Sequence, residues 1–113
     1  MLVASATPPR LSRLRRHSRS QDQEDIAVFK QCFDDDALDY RGVFVEMGAL
    51  DGLTYSNSFA YESALNWTGV LIEANPEACP LVWRNRPHAR VLCSGVSKES
   101  RERDGSATWW HGG

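Results

Sequence analysis

The stretch Val43-Phe44-Val45-Glu46-Met47-Gly48-Ala49-Leu50-Asp51-Gly52 decides the fold. Its first half is a short β-rich run with no polar alternation until Glu46. A strand covered on both faces reads this way, as in a parallel sheet. Its second half is a glycine-bounded turn. Glycine there lets the backbone turn tightly and approach a ligand closely.

The pattern repeats downstream. Thr54 to Leu65 reads as a helix, with Phe59, Ala60 and Ala64 on one side, and Asn66 to Gly69 breaks it. Val70-Leu71-Ile72-Glu73 is a second short apolar strand ending in an acid. Pro76 suits the first turn of a helix that runs to about Asn85, and Pro87 forbids its continuation. Arg90-Val91-Leu92-Cys93-Ser94 is a third strand, and Thr108-Trp109-Trp110 reads as the start of a fourth. Short apolar strands alternating with helices predict an α/β, Rossmann-like domain: a partial parallel sheet of three to four strands with flanking helices.

Upstream, Ser20 and Gln23 form a capping-box pattern. Ile26, Phe29 and Phe33 follow as one apolar stripe, and the helix should stop near Asp34-Asp35-Asp36, whose charges oppose the dipole. Residues 1–19 are Arg- and Ser-rich and read as a disordered basic tail or a transit-like segment. They are left outside the predicted domain, residues 20–113.

The chain has 113 residues, 42% apolar and 25% charged, with a formal charge of −2, the composition of one small globular domain. That charge is unevenly spread. All five basic residues of the first twenty are arginines without an acid among them, so the remainder carries 8 basic against 15 acidic side chains. An acidic domain argues against a nucleic-acid face. No apolar run is long enough for a membrane span. Cys32, Cys79 and Cys93 lack metal-ligand spacing and read as reduced core residues. Without an apolar leader run, the expected location is cytoplasmic or organellar rather than secreted, and the sequon Asn66-Trp67-Thr68 reads as chance.

Three features sit where a nucleoside cofactor needs them. Glu46-x-Gly48-x-x-x-Gly52 occupies the first strand-to-helix turn. Glu73 ends the second strand, 21 residues after Gly52, where an acid can accept both hydrogen bonds of a ribose diol. Ser94 ends the third strand at the same carboxyl edge. A dinucleotide site would show GxGxxG, with amides cradling a pyrophosphate. Here the middle glycine is missing, and Glu46 and Asp51 would put negative charge where phosphates must sit. An acidic turn suits a cationic cofactor without phosphate. S-adenosylmethionine, with a sulfonium, an ammonium and a ribose diol, fits that description. An NAD-binding oxidoreductase fragment and a non-catalytic interaction module that keeps the fold are the competing readings.

These residues resemble the FkbM-type S-adenosylmethionine-dependent methyltransferases. The similar pieces are Ser20 to Asp25, Phe44 to Gly52, Tyr55-Ser56-Asn57-Ser58, Trp67 to Pro76 and Val96-Ser97. The resemblance implies a class I methyltransferase fold, here its N-terminal part, and methyl transfer to a hydroxyl of a small-molecule or glycan acceptor. It implies that Glu46, Gly48 and Asp51 line the methionine end of the cofactor, that Glu73 holds the ribose hydroxyls, and that Asn57 faces the cofactor turn. It assigns no general base. Lacking the later strands of such a domain, Val43 to Met47 is expected to be an exposed apolar edge that invites self-association and marginal stability.

Overall fold

The computed structural model describes residues 9–34, 41–95 and 108–110, the last three as backbone. Among these residues four strands form one sheet in the order β1-β2-β3-β4, with β1 Val43–Met47, β2 Thr68–Glu73, β3 Arg90–Cys93 and β4 Thr108–Trp110. β1, β2 and β3 are parallel, with Val45 opposite Val70 and Leu71 opposite Val91. β4 runs antiparallel to β3, so the fourth strand joins the sheet but not its parallel part. Among the described residues four helices accompany the sheet: α1 Arg10–His17, α2 Glu24–Cys32, α3 Phe59–Leu65 and α4 Cys79–Asn85. The β1-α3-β2-α4-β3 run is Rossmann-like. Among the described residues no helix is long and apolar enough to cross a membrane.

The helices lie on one face of the sheet. Strand order advances from β1 to β3 without reversal, so right-handed crossovers carry α3 and α4 over the same side. That side holds Phe44, Leu71 and Val91. Phe44 packs on a cluster of Leu14, Ile26, Phe29, Tyr61, Leu65 and Trp67, and on a second one built from Leu71, Val82, Ala89 and Val91. Tyr61 donates its hydroxyl to the Asp25 carbonyl at 2.8 Å. Burial, then the charge of Asp25, pushes its phenol above the ordinary 10.0. The opposite face carries Val43, Val45 and Met47, which remain 74%, 66% and 65% exposed. β1 is an edge strand of the sheet, and the cover on both faces that its apolar run predicts is not found among the described residues.

Several elements depart from the sequence reading. Residues 10–17 are not a disordered tail but a helix. Leu14 is fully buried, Arg13 donates to the Ala64 carbonyl and Arg10 to the Phe33 carbonyl, both at 3.1 Å. An Arg-rich segment folds here because its stems cover apolar surface while its guanidiniums cap the ends of other elements. Ser20 is not the N-cap of α2. Gln23 takes a left-handed conformation, and the Ser20 hydroxyl accepts from the Asp25 amide one turn later. The helix expected from Thr54 begins only at Phe59, because side chains of Asp51 and Glu46 hold residues 53–58 as a turn. Cys79 and Cys93 are not reduced: they form a disulfide joining the start of α4 to the end of β3. The pairing β2–β3 sets Cys93 opposite Glu73, beneath the first turn of α4, which no spacing rule reveals. Cys32 is free and exposed.

Candidate functional site

The carboxyl ends of β1, β2 and β3 meet at one sheet edge, and Glu73 is the hub. Its Oε1 accepts the Leu50 amide at 2.6 Å, its Oε2 accepts the Asn75 amide at 2.8 Å, and its carbonyl accepts the Ser94 amide at 3.0 Å. The second strand's acid therefore fastens the glycine turn of the first and the exit of the third. Asn75 in turn accepts the Glu77 amide, which keeps residues 76–78 as a turn and delays α4 to Cys79.

Gly48 and Gly52 are both needed in the turn for different reasons. Gly48 has φ +72°, and no heavy atom lies within 4 Å of where its Cβ would stand. Its conformation is left-handed and its surroundings are open. Gly52 has φ +88°, and a Cβ there would meet Arg86 Cγ at 2.9 Å and Val82 Cα at 3.4 Å. The Gly48 and Ala49 amides both point at the Ile72 carbonyl, at 2.8 and 3.1 Å. They tie the turn to β2 rather than facing a ligand.

Asp51 staples the turn from within. Oδ1 accepts the Leu53 and Thr54 amides at 2.9 and 2.7 Å, and Oδ2 accepts the Thr54 hydroxyl at 2.7 Å. The Thr54 amide first of all holds its carboxyl below the usual 3.8, against a smaller opposing push from burial.

Glu46 does a similar task for α3. Its Oε1 accepts the Asn57 and Ser58 amides at 2.7 and 2.9 Å and the Ser56 hydroxyl at 3.0 Å. Ser56 Oγ accepts the Phe59 amide at 3.0 Å. The acid that ends β1 and the serine ten residues later thus satisfy the orphan amides at the start of α3. The Asn57 side chain bonds to Ser20 instead of capping the helix.

The expected site residues fall into two groups. Gly48, Glu73 and Ser94 share the carboxyl edge, with Asp51 and Gly52 at the far end of the turn under α4. Glu46 and Asn57 line a separate cleft of about 380 Å³ beside β1, walled by Phe33, Phe44, Tyr61 and Trp67.

Arg86 is the residue that pattern reading missed. It follows the last turn of α4 and has no solvent exposure. Nε pairs with Glu62 Oε2 at 2.8 Å, Nη1 donates to the Gly52 carbonyl at 3.0 Å and to Ser56 Oγ at 3.2 Å, and Nη2 donates to Ser58 Oγ at 3.1 Å. The guanidinium lies 5.4 Å from the Phe44 ring and 5.6 Å from Phe59. One cation thereby joins α4, the glycine turn and the start of α3. Asn85 adds a bond from Nδ2 to the Asp51 carbonyl at 2.8 Å. The one advance signal was an Asn-Arg pair just before a helix-ending proline, which by itself marks no burial.

Among the described residues no group of histidine, cysteine and acidic side chains is arranged to hold a metal ion. The fold is an α/β domain with a three-strand parallel core. No family model, curated protein or solved structure matches this chain.

Proposed function

We propose that this chain binds S-adenosylmethionine at the carboxyl edge of its sheet, as the donor half of a methyltransferase acting on a hydroxyl of a small-molecule or sugar acceptor. The observation that carries the reading is the position of Glu73. It is a nearly buried carboxylate at the end of β2, touching the glycine turn of β1, where open α/β sheets place nucleosides. Each of its oxygens accepts one backbone amide and keeps a further lone pair for a ribose hydroxyl. Gly48 leaves open space beside that carboxylate's partner turn, which lets a ligand approach the backbone. Asp51 contributes negative charge toward a sulfonium and an ammonium, while Glu46 lies in the cleft beside β1 and serves the fold as the cap of α3. The cofactor supplies the methyl group, and the residues named here bind and orient it. Oxygen methylation also needs the acceptor hydroxyl held in line and relieved of its proton. We assign no residue to that step.

Calorimetric titration with S-adenosylhomocysteine tests the reading. Wild type should bind saturably and more tightly than it binds NAD. Glu73→Gln should weaken binding by at least about tenfold, since a hydrogen bond to a charged group is worth about 1.5–3 kcal/mol. Equal affinity in the variant removes Glu73 from the site.

A specific observation favours a second reading. The side chains of Glu46, Asp51 and Asn57 are all employed within the fold, as they would be in an interaction module that keeps the architecture without the ligand. A folded sample that binds no nucleoside would decide for it. On location, α1 packs into the core through Leu14, which favours a retained segment over a cleaved transit peptide, and the disulfide favours a compartment that oxidises thiols.

A further inference from the structure

The face of the sheet opposite the helices has no cover among the described residues. Register places Val43, Val45 and Met47 of β1 on it, together with Val70, Ile72 and Leu92 of β2 and β3. Directly opposed residues in a sheet share a face, and the alternation of exposed and half-buried positions along β1 confirms which face is open. Parallel sheets are stable with both faces covered, because their strands are apolar on both sides. β2 and β3 follow that rule in sequence, yet receive helices on one side only.

Among the described residues the open face is large and nearly uncharged. The three β1 side chains alone leave on the order of 300 Å² of apolar surface in water, and the half-buried aliphatics of β2 and β3 bring the patch to about 500 Å², the upper part of the range for a monomer's largest patch and often a functional one. Among the described residues only Arg90, exposed at the rim opposite Val70, brings a charge to it. The acid of β1, Glu46, points to the helical side and is held by amides of residues 57 and 58, so it does not guard the open face.

We infer that this face packs against its counterpart in a second copy of the chain, sheet against sheet across a two-fold axis. Apart from Arg90 at its rim the described patch is apolar, so two copies can meet with their centres free of like-charge repulsion, the condition an isologous interface must satisfy. Two such faces together bury roughly 1,000 Å², the lower bound for a specific association, so the dimer is expected to be of micromolar rather than nanomolar strength. Side-by-side pairing of two β1 edges would satisfy backbone groups but leave Val70, Ile72 and Leu92 in water. The face contact covers them as well.

Sedimentation equilibrium of the full chain, over a hundredfold range of concentration, tests this. Wild type should be a reversible dimer. Val70→Lys, in an interior strand away from the β1 edge, should weaken the dimer more than about tenfold while its circular dichroism is unchanged. Val70→Thr keeps the strand shape and should weaken it in the same direction, which covers the case in which the lysine variant does not fold. A wild type that stays monomeric at the highest concentration overturns the inference. A dimer that survives Val70→Lys and Val70→Thr but is lost in Val45→Lys would be edge-paired, and overturns it equally.

Discussion

Replacing Arg86 with methionine should cost this domain about half of its stability, and the reason is an asymmetry of charge. Methionine fills similar volume and keeps the contact with Phe44 and Phe59. It removes four donor contacts and leaves Glu62, whose side chain is 12% exposed, as a nearly buried carboxylate without its counter-ion. The Gly52 carbonyl and the hydroxyls of Ser56 and Ser58 lose a donor at the same time. Breaking one side of a buried pair costs about 3–5 kcal/mol, against about 5–10 kcal/mol for the whole stability of a domain this size. Guanidinium unfolding followed by tryptophan fluorescence reads this directly. The decisive comparison is Arg86→Met with Glu62→Met in the same chain. If the stranded charge dominates, the double variant should recover about 1–3 kcal/mol of the loss, although it has lost more hydrogen bonds. An Arg86→Met variant within about 1 kcal/mol of wild type would refute the reasoning, as would strictly additive losses in the double variant.

Other consequences can be measured on the same samples. Reducing Cys79–Cys93 opens a loop of sequence separation 14 and should cost about 3 kcal/mol, seen as a lower melting temperature in reductant and no further change in Cys93→Ser. Gly52→Ala should cost more than Gly48→Ala: both force a positive φ on alanine, at about 1 kcal/mol, but only the former also drives a methyl against Arg86 and Val82. The depressed Asp51 carboxyl adds stability that is fully present above its ordinary 3.8 and lost as pH falls below it, because the unfolded chain takes up the proton first. Asp51→Asn should therefore flatten that acid limb in denaturation midpoints measured against pH, and an unchanged limb would remove Asp51 from the account.

The parallel sheet was readable because its signals are local. Val43 to Met47, Val70 to Glu73 and Arg90 to Cys93 are short apolar runs set off by turn residues, and burial on a sheet demands that composition wherever the strands lie. The glycine turn was readable for the same reason: left-handed φ values at Gly48 and Gly52 are a backbone requirement that few other residues meet. What the chain does with its polar groups was not local. Glu46 looks like a ligand-facing acid, and only the crossover that brings residues 56–58 back over β1 turns it into a helix cap. Arg86 and Glu62 lie 24 residues apart, and nothing but the packing of α4 on α3 makes them a buried pair. Leu14 joins the core because α1 lies across α3, so a segment that composition assigns to a tail becomes structural. The open face follows from handedness and strand order together, since three strands laid down in one direction put every crossover helix on one side. Composition and periodicity specify which residues leave water, but which charges meet and which face stays bare depend on the path of the chain between them.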